Sequence, residues 1–402
     1  MTSEWYEVPL RELVGYISKG IAPSYAEEAS ESTIRVLNQK CNRNFRISYG
    51  DSRLHDTLKK KVPPERYVKP DDILINSTGA GTAGRIAQIE DVPSATTIDG
   101  HMILIRSNGK VTQKFLGYAL NAHQWEVLQL DEGSTGQTEL NRDRLLDEIM
   151  INYPVSLDEQ NAIVGTLESI DRKLIVNEQL NDNLEQQAQA IYHERFETVS
   201  PNDLPSDWRI VTLGEVATIS NKSFNPLKEP EILLEHYSIP AFDEARFPVF
   251  ELSTSIKSNK FIIDASCFMI SKLNPTTKRV WKPYCLTGNA VCSTEFIVYK
   301  AKDKTITDFL YSVIDSNSFS DFMCSHVTGS TGSRQRTTPS DTLSYELILP
   351  SEDELAEFQS LVSPMYAQIR INAIENDRLK RLRDSLLPKL MSGEIDVSTI
   401  QL

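Results

Sequence analysis

Two stretches of this 402-residue chain gather positive charge of the kind that contacts phosphate. Residues Ile34 to Arg46 include four basic side chains and no acidic one, and the same is true of Ser271 to Cys285. The whole chain has a net charge of −14, so this positive charge is local. Lysine and arginine bind the nucleic-acid backbone, and arginine also reads base edges. Both runs therefore predict contacts with nucleic acid, and a solvated surface is the alternative for either run taken alone.

The candidate DNA-contacting residues lie in polar segments that the sequence predicts to be turns. Phosphate contacts position a protein on DNA, and side chains at base edges specify the sequence. The first half of the chain supplies Lys40, Asn42, Arg43, Arg46, Ser77, Thr78 and Arg85. The second half supplies Lys272, Asn274, Thr276, Lys278, Arg279 and Lys282. Two Gly-Ser-Thr-Gly loops add Gln137, Arg334, Gln335 and Arg336. A structural role is the alternative for each of these residues.

One glycine-rich motif resembles a dinucleotide-binding turn. Gly79 to Gly84 fits Gly-x-Gly-x-x-Gly, but an alternating run ended by Pro93 follows where a dinucleotide site needs a helix. The motif therefore predicts a turn between two strands, with Leu273 to Thr277 as its counterpart in the second half. Asn274-Pro275 also resembles the start of the Asn-Pro-Pro-aromatic loop of amino-methyltransferases. Thr276 and Thr277 replace the second proline and the ring on which a flipped base would rest.

The sequence contains no other motif that predicts catalysis. It has no P-loop, no His-x-x-x-His pair and no nucleophile elbow, and its six histidines are scattered. Its five cysteines include no Cys-x-x-Cys pair, which predicts reduced, structural thiols and no metal site. We therefore expect no catalytic residue, metal or cofactor in this chain. A stand-alone DNA adenine methyltransferase or nuclease is the alternative, and a scaffold that does not bind DNA is another.

The chain repeats itself at a constant distance. Gly133 and Pro154 return 196 residues later as Gly329 and Pro350, and each proline precedes a long amphipathic helix. The seam of the first helix is spaced alternately by four and three residues, which is typical of a coiled coil. It comprises Ile163, Leu167, Ile170, Leu174, Asn177, Asn181, Leu184, Ala188 and Ile191. Adding 195 gives the second seam, which comprises Phe358, Val362, Met365, Ile369, Asn372, Asn376, Leu379, Arg383 and Leu386.

Two polar positions in each seam indicate that the helices pair. Asn177 and Asn181 match Asn372 and Asn376, and a seam asparagine fixes register and partner at a cost in stability. Equivalent units pack most simply about a twofold axis, so we expect antiparallel helices. The alternative is that each helix covers only its own domain.

The segments between and before the helices predict an α+β fold. They contain short apolar runs typical of strands, together with two short helical stretches, Gln113 to Leu128 and Ile306 to Ser320. We expect two mixed α/β domains related by a pseudo-twofold axis and separated by the two helices. The predicted boundaries are 1–152 for the first domain, 153–198 for the first helix, 199–349 for the second domain, 350–392 for the second helix and 393–402 for a tail.

These features together resemble the specificity subunit (HsdS) of type I restriction-modification systems, over essentially the full chain. The repeated Gly-Ser-Thr-Gly and proline carry the resemblance, as does the ending Leu386 to Ile395. Ser271 to Pro275, Ser293 to Phe296, and Gly79 to Gly84 with Asp99-Gly100-His101 are similar to segments of target recognition domains in that family. The resemblance supplies no base contacts residue by residue, because recognition domains vary with the sequence that they read.

The resemblance implies a non-catalytic subunit that reads a bipartite DNA site, one half per domain. It also implies two copies of a modification subunit that binds S-adenosylmethionine and methylates adenine, joined by restriction subunits that use ATP. The acidic first helix and the leucine-rich C-terminus are the expected docking surface for these partners. The sequence begins without a signal peptide and contains no run of 18 apolar residues, so we expect a cytoplasmic location.

Overall fold

The computed structural model describes residues 4–79, 81–132, 139–329 and 335–397. The chain divides into two compact units, each of which contains part of both long helices. Unit 1 consists of Met1–Lys173 with Leu379–Leu402, and unit 2 consists of Leu174–Arg378. The predicted fold class, mixed α/β domains with two long helices, is confirmed.

Unit 1 contains fourteen short strands within the part of it that the structure describes. They are β1 Trp5–Pro9, β2 Val14–Lys19, β3 Tyr25–Ala26, β4 Thr33–Leu37, β5 Asn42–Arg43, β6 Arg46–Ile47, β7 Arg53–Asp56, β8 Ile73–Asn76, β9 Ile86–Gln88, β10 Thr96–Ile98, β11 Met102–Ser107, β12 Asp131–Glu132, β13 Glu139–Leu140 and β14 Met150–Pro154. The helices that begin in this unit are α1 Gln113–Ala122, α2 Gln124–Val127, α3 Arg142–Glu148 and α4 Leu157–Tyr192. The two largest sheets have the orders β2-β11-β8-β9 and β10-β4-β7-β3.

Unit 2 contains thirteen further strands among its described residues. They are β15 Arg209–Thr212, β16 Ala217–Ile219, β17 Ser223–Phe224, β18 Leu233–Tyr237, β19 Val249–Leu252, β20 Lys260–Ile262, β21 Cys267–Ser271, β22 Val280–Trp281, β23 Ala290–Ser293, β24 Phe296–Ala301, β25 Val327–Thr328, β26 Arg336–Thr337 and β27 Glu346–Leu349. The helices are α5 Leu213–Val216, α6 Ile239–Ala245, α7 Thr307–Ile314, α8 Asn317–Ser325 and α9 Glu352–Met391. The two largest sheets have the orders β16-β24-β21-β22 and β17-β20-β23-β18-β19.

The central strands β8 and β21 are apolar except at their last residue, because both faces of their sheet are covered. In β8, Ile73 and Ile75 belong to the core shared with the helices, whereas Leu74 faces a second core. In β21, Phe268 and Cys267 divide between two cores in the same way. Side chains alternate along a strand, so a continuous apolar run is what a doubly covered strand requires.

The two long helices begin in the same way and complete the domain cores. Ser156 and Ser351 precede α4 and α9, and each serine Oγ accepts a hydrogen bond from the backbone N–H three residues later. This is the arrangement of an N-cap. In unit 1, Leu167 of α4 and Leu390 of α9 share one buried cluster with the domain. In unit 2, Ala188 of α4 and Phe358 of α9 do the same.

The helices are antiparallel, as predicted. In unit 2, Asn177 bonds to Asn376 and Asn181 bonds to Asn372, so residue numbers rise along one helix as they fall along the other. In unit 1, Asp171 pairs with Arg383 in the same sense. The alternative, in which each helix covers only its own domain, is therefore wrong. Helix α9 also runs without interruption through Pro364, although proline removes one helical hydrogen bond.

Candidate nucleic-acid interface

Each unit presents a turn between two strands, next to the strand that follows a Gly-Ser-Thr-Gly segment of the sequence. In unit 1, β8 and β9 pair antiparallel around the glycine-rich motif, and Leu140 N–H donates to the carbonyl oxygen of Ser77 at 2.8 Å. In unit 2, β21 and β22 pair antiparallel around residues 272–279, and Thr337 N–H donates to the carbonyl oxygen of Lys272 at 3.1 Å. The prediction that both motifs are turns between strands is confirmed.

The turn in unit 1 carries a polar cluster on its exposed side. Thr78 Oγ1 lies 2.7 Å from His101 Nδ1 and 3.4 Å from Gln39 Oε1. Asn76 Nδ2 donates to the carbonyl oxygen of Gln39 at 3.1 Å and fixes that residue against the strand. Sequence reasoning named Thr78 but missed Gln39 and His101. Both are polar residues close to an end of a buried strand, and this position is the sequence signal that could have identified them.

Two predicted contact residues in unit 1 are buried instead of exposed. Asn42 Nδ2 donates to Asn76 Oδ1 at 3.2 Å and to the carbonyl oxygen of Arg85 at 2.8 Å. Ser77 is also fully buried, and its hydroxyl lies 3.4 Å from the carbonyl oxygen of Gly100. These two side chains hold the strands of the turn together. They support the exposed side of the turn but are not exposed on it.

The basic residues of the first run surround a tight hairpin. Asn44 and Phe45 form its turn in the left-handed region, with φ of 52° and 62°. The ring of Phe45 anchors the turn, because it packs 5.5 Å from the ring of Tyr118 between centroids. Arg43 and Lys40 are exposed, and neither forms an ion pair within the part of the chain that the structure describes. Arg46 is half-buried, and Arg85 lies 3.4 Å from the carbonyl oxygen of Gly81.

The turn in unit 2 is held by the strand after its loop. Asn274, with φ of 50°, donates its N–H to the carbonyl oxygen of Gln335 at 2.9 Å. Thr276 Oγ1 donates to Asn274 Oδ1 at 2.9 Å. The guanidinium of Arg336 donates to both carboxylate oxygens of Glu295 at 3.0 and 3.1 Å. The predicted contacts Gln137 and Arg334 lie outside the described residues.

Most cations of the second basic run already have acidic partners. Arg279 binds Asp243 through two hydrogen bonds of 2.6 and 2.9 Å, and Lys282 pairs with Asp308. Lys278 Nζ lies 3.0 Å from Asp315 Oδ1. Burial raises the pKa of Asp315, and the ammonium of Lys278 opposes that rise. Lys272 differs from these three, because it forms no ion pair with any residue in the described ranges.

The seam asparagines form two hydrogen-bonded layers within unit 2. Asn177 Nδ2 donates to Asn376 Oδ1 at 2.8 Å and to Glu375 Oε2 at 2.7 Å. Asn372 Nδ2 donates to Asn181 Oδ1 at 2.8 Å. Asn177, Asn372 and Asn376 are buried, so these bonds replace the water that their amides lose.

The residues that the structure describes form neither a metal site nor a membrane-spanning helix. No group of histidine, cysteine, aspartate or glutamate among them is arranged to hold a metal ion. None of the helices that the structure describes is both long and apolar enough to cross a membrane.

The first half of the chain matches a known domain family, and the whole chain resembles a known protein. The model of the type I restriction modification DNA specificity domain matches residues 2–186. The chain is 24% identical to the type I restriction enzyme MjaIX specificity subunit of Methanocaldococcus jannaschii, over 96% of this chain and 93% of that protein. It is 33% identical to the HindI specificity subunit of Haemophilus influenzae, over 23% and 20% of the two chains.

A solved structure shares the fold. The S subunit of a type I restriction-modification system from M. genitalium is 16% identical, with a TM-score of 0.58, and the alignment covers 97% of this chain and 96% of that one. The resemblance inferred from the residues is thereby confirmed. Over nearly its full length the chain is therefore similar to specificity subunits of type I restriction-modification systems, and residues 2–186 match the DNA specificity domain of that family.

Proposed function

We propose that each domain reads one half of a bipartite DNA site through its strand turn and the adjoining loop. Like the specificity subunits that it resembles, the chain is a DNA-recognition subunit and not itself an enzyme. One observation supports the division into half-sites. The same pair of elements, a hairpin turn hydrogen-bonded to the strand after a Gly-Ser-Thr-Gly loop, occurs once in each unit. The domains are taken as residues 1–152 and 199–349.

The side chains divide into those that position DNA and those that read it. Arg43, Lys40 and Lys272 are the proposed phosphate contacts, because no acidic side chain of the described residues neutralises them. Thr78, Gln39 and His101 are the proposed base-reading group of the first domain, because they present donors and acceptors together at one turn. The loop residues Gln137 and Arg334 remain candidates for the same role.

The long helices serve as a spacer in this proposal. Helix α4 has 36 residues and α9 has 40. At 1.5 Å per residue these correspond to about 54 and 60 Å, enough to fix the separation of half-sites. The asparagine layers support this role because a polar layer in a seam fixes the register of the helices.

The helix pair also provides the proposed docking site for the methyltransferase subunits. Within unit 2, Val176, Leu180 and Ile371 leave 48%, 40% and 54% of their surface exposed although they lie on paired helices. Contiguous exposed apolar residues mark interaction surfaces. We propose two modification subunits, which bind S-adenosylmethionine, and restriction subunits, which use ATP, as the partners. This chain itself carries no cofactor in the proposal, and a cytoplasmic location remains a prediction.

A domain exchange tests the proposed function. Residues 1–152 are replaced by the same domain of a relative, and the chimera is co-expressed with its methyltransferase subunit. Sequencing of methylated DNA should show one changed half-site, with the other half and the spacing retained. Change in both halves would mean that the domains read jointly.

A matched pair of variants tests the residues within the first domain. Replacing Gln39 by alanine should relax one base position at a cost of about 1–3 kcal/mol in binding, because a base-edge contact is lost. Replacing Arg43 by alanine should weaken binding to all sequences equally, because phosphate contacts carry no sequence information. If the Gln39 variant loses affinity without any change of sequence preference, the assignment of that residue is wrong.

A further inference from the structure

Two layers of contacting side chains between the long helices occupy equivalent positions in the sequence repeat. One layer is charged and the other is not. The offset of 195 relates Asp171 to Tyr366 and Ala188 to Arg383. In unit 1, Arg383 Nη1 donates to Asp171 Oδ1 at 3.0 Å, and both side chains are less than one fifth exposed. In unit 2, Ala188 and Tyr366 belong to one buried apolar cluster. One layer is thus an ion pair, and its counterpart joins a large side chain to a small one.

The neighbouring domain helix reinforces each layer. In unit 1, the hydroxyl of Tyr118 on α1 donates to Asp171 Oδ2 at 2.7 Å. In unit 2, the ring of Tyr311 on α7 packs edge-on against the ring of Tyr366, with centroids 4.9 Å apart. The hydroxyl of Tyr366 lies 2.7 Å from that of Ser312. Each domain is therefore built to receive one particular side chain from the helix.

The rest of the seam distinguishes the halves much less. Two copies of α4 in the same antiparallel register would bring Asn177 opposite Asn181, so the polar layers would still be satisfied. The same arrangement would bring Asp171 opposite Ala188 of the other copy. Two copies of α9 would bring Tyr366 opposite Arg383. The first arrangement leaves the partly buried Asp171 without its counterion, which is strongly unfavourable. The second leaves Arg383 paired only with Asp384 of its own helix, whose side chain is 65% exposed.

We propose that the Asp171–Arg383 pair makes the two halves of the chain select each other and reject a second copy of themselves. The selection acts through repulsion of wrong partners as much as through attraction of the right one. If the proposed function holds, this pair also keeps the recognised DNA site asymmetric, since two identical halves would read an inverted repeat.

A cleaved form of the folded full-length chain tests the selection. A protease site is inserted between Asn202 and Asp203, in the exposed segment that joins α4 to β15. Two preparations with different N-terminal tags are cut, mixed, unfolded in urea and refolded. Native mass spectrometry then counts pairs of one N-terminal with one C-terminal half and pairs of two N-terminal halves. The measurement uses no DNA, so failure of the proposed function would not alter it.

Three chains give distinguishable outcomes. The natural chain should form mixed pairs in at least about tenfold excess over like pairs. Asp171→Tyr with Arg383→Ala makes both layers identical, and mixed pairs should then fall to about half of the total. Asp171→Arg with Arg383→Asp exchanges the charges and should keep the preference for mixed pairs.

Two results would overturn the proposal. One is a natural chain that already gives the statistical mixture, and the other is a symmetrised chain that still forms only mixed pairs. Each uncut variant must first unfold cooperatively. If the symmetrised chain does not, Asp171→Asn with Arg383→Gln replaces it, because that variant removes both charges while keeping both side chains polar, and it should lose the preference as well.

Discussion

Replacing the asparagine layer at Asn177 and Asn376 by leucine should reveal a large coupling between the two positions. The single change Asn177→Leu removes the donor that lies 2.8 Å from Asn376 Oδ1 and leaves that amide buried. An unsatisfied buried polar group costs about 1–3 kcal/mol, and burying a leucine contributes about 1.5–3 kcal/mol. The single variant should therefore unfold with nearly the natural free energy.

The double variant should be more stable than the natural chain. It leaves no orphaned amide in that layer and buries two leucines, so its free energy of unfolding should exceed the sum of the single effects by about 2 kcal/mol or more. Urea unfolding of the four chains, followed by helical circular dichroism, measures this coupling. Asn183→Leu is the matched control, because Asn183 is an exposed residue of the same helix.

In the same double variant, the register of α4 against α9 should be less precisely fixed. Spin labels at positions 183 and 371, both exposed and on opposite helices, should give a narrow distance distribution in the natural chain and a broader one in the variant. A coupling within about 0.5 kcal/mol of zero would refute the reasoning, since that is the additivity expected of independent sites. An Asn177→Leu chain that is as stable as the double variant would also refute the reasoning.

Three other changes probe separate parts of the molecule. Lys272→Ala should lower the slope of log affinity for DNA against log salt by about one, whereas Lys278→Ala, whose ammonium is paired with Asp315, should lower it by much less. Burial raises the pKa of Asp264, but hydrogen bonds from Lys300 and Ser266 outweigh it and lower the pKa to about 2. The stability from this lowered pKa is present above the ordinary pKa of 3.8 and lost as pH falls towards 2, so Lys300→Met should flatten acid unfolding there. The difference should be below about 1 kcal/mol, because the Asp264 side chain is 58% exposed. Gly393→Ala should destabilise unit 1 in thermal unfolding, because its φ is +73° and an added Cβ would lie 2.9 Å from the Trp5 ring.

The helix seam was predictable because its signal is local and repeated. Spacing by three and four residues identifies a coiled-coil face without any knowledge of the rest of the fold. The recurrence of both asparagines at an offset of 195 then indicated pairing. The turn at Gly79 to Gly84 was predictable for the same kind of reason, because the residues that follow it cannot form a helix.

The environment of individual candidate side chains was not predictable. Arg279 and Asp243 are 36 residues apart, and Lys282 and Asp308 are 26 apart, with no periodic pattern that joins them. A basic run read from sequence therefore looks more available for phosphate than it is. The burial of Asn42 depends on the packing of a hairpin against two other strands, which composition cannot indicate. Arg383 was placed in the seam, but its partner Asp171 was not.

The two turns show how a repeated backbone can carry different side chains. Gly79, Gly81 and Gly84 have positive φ in the first turn, and the second reaches the left-handed region once, at Asn274. Asparagine tolerates that region better than most residues, so the chain can reverse direction without glycine. Because strand pairing and the strand that follows each Gly-Ser-Thr-Gly segment fix the turn in both units, its solvent-accessible side chains, such as Thr78 and Thr276, are not needed to hold it. Under the proposed function, a surface of this kind could change the DNA sequence that it reads without a change of fold.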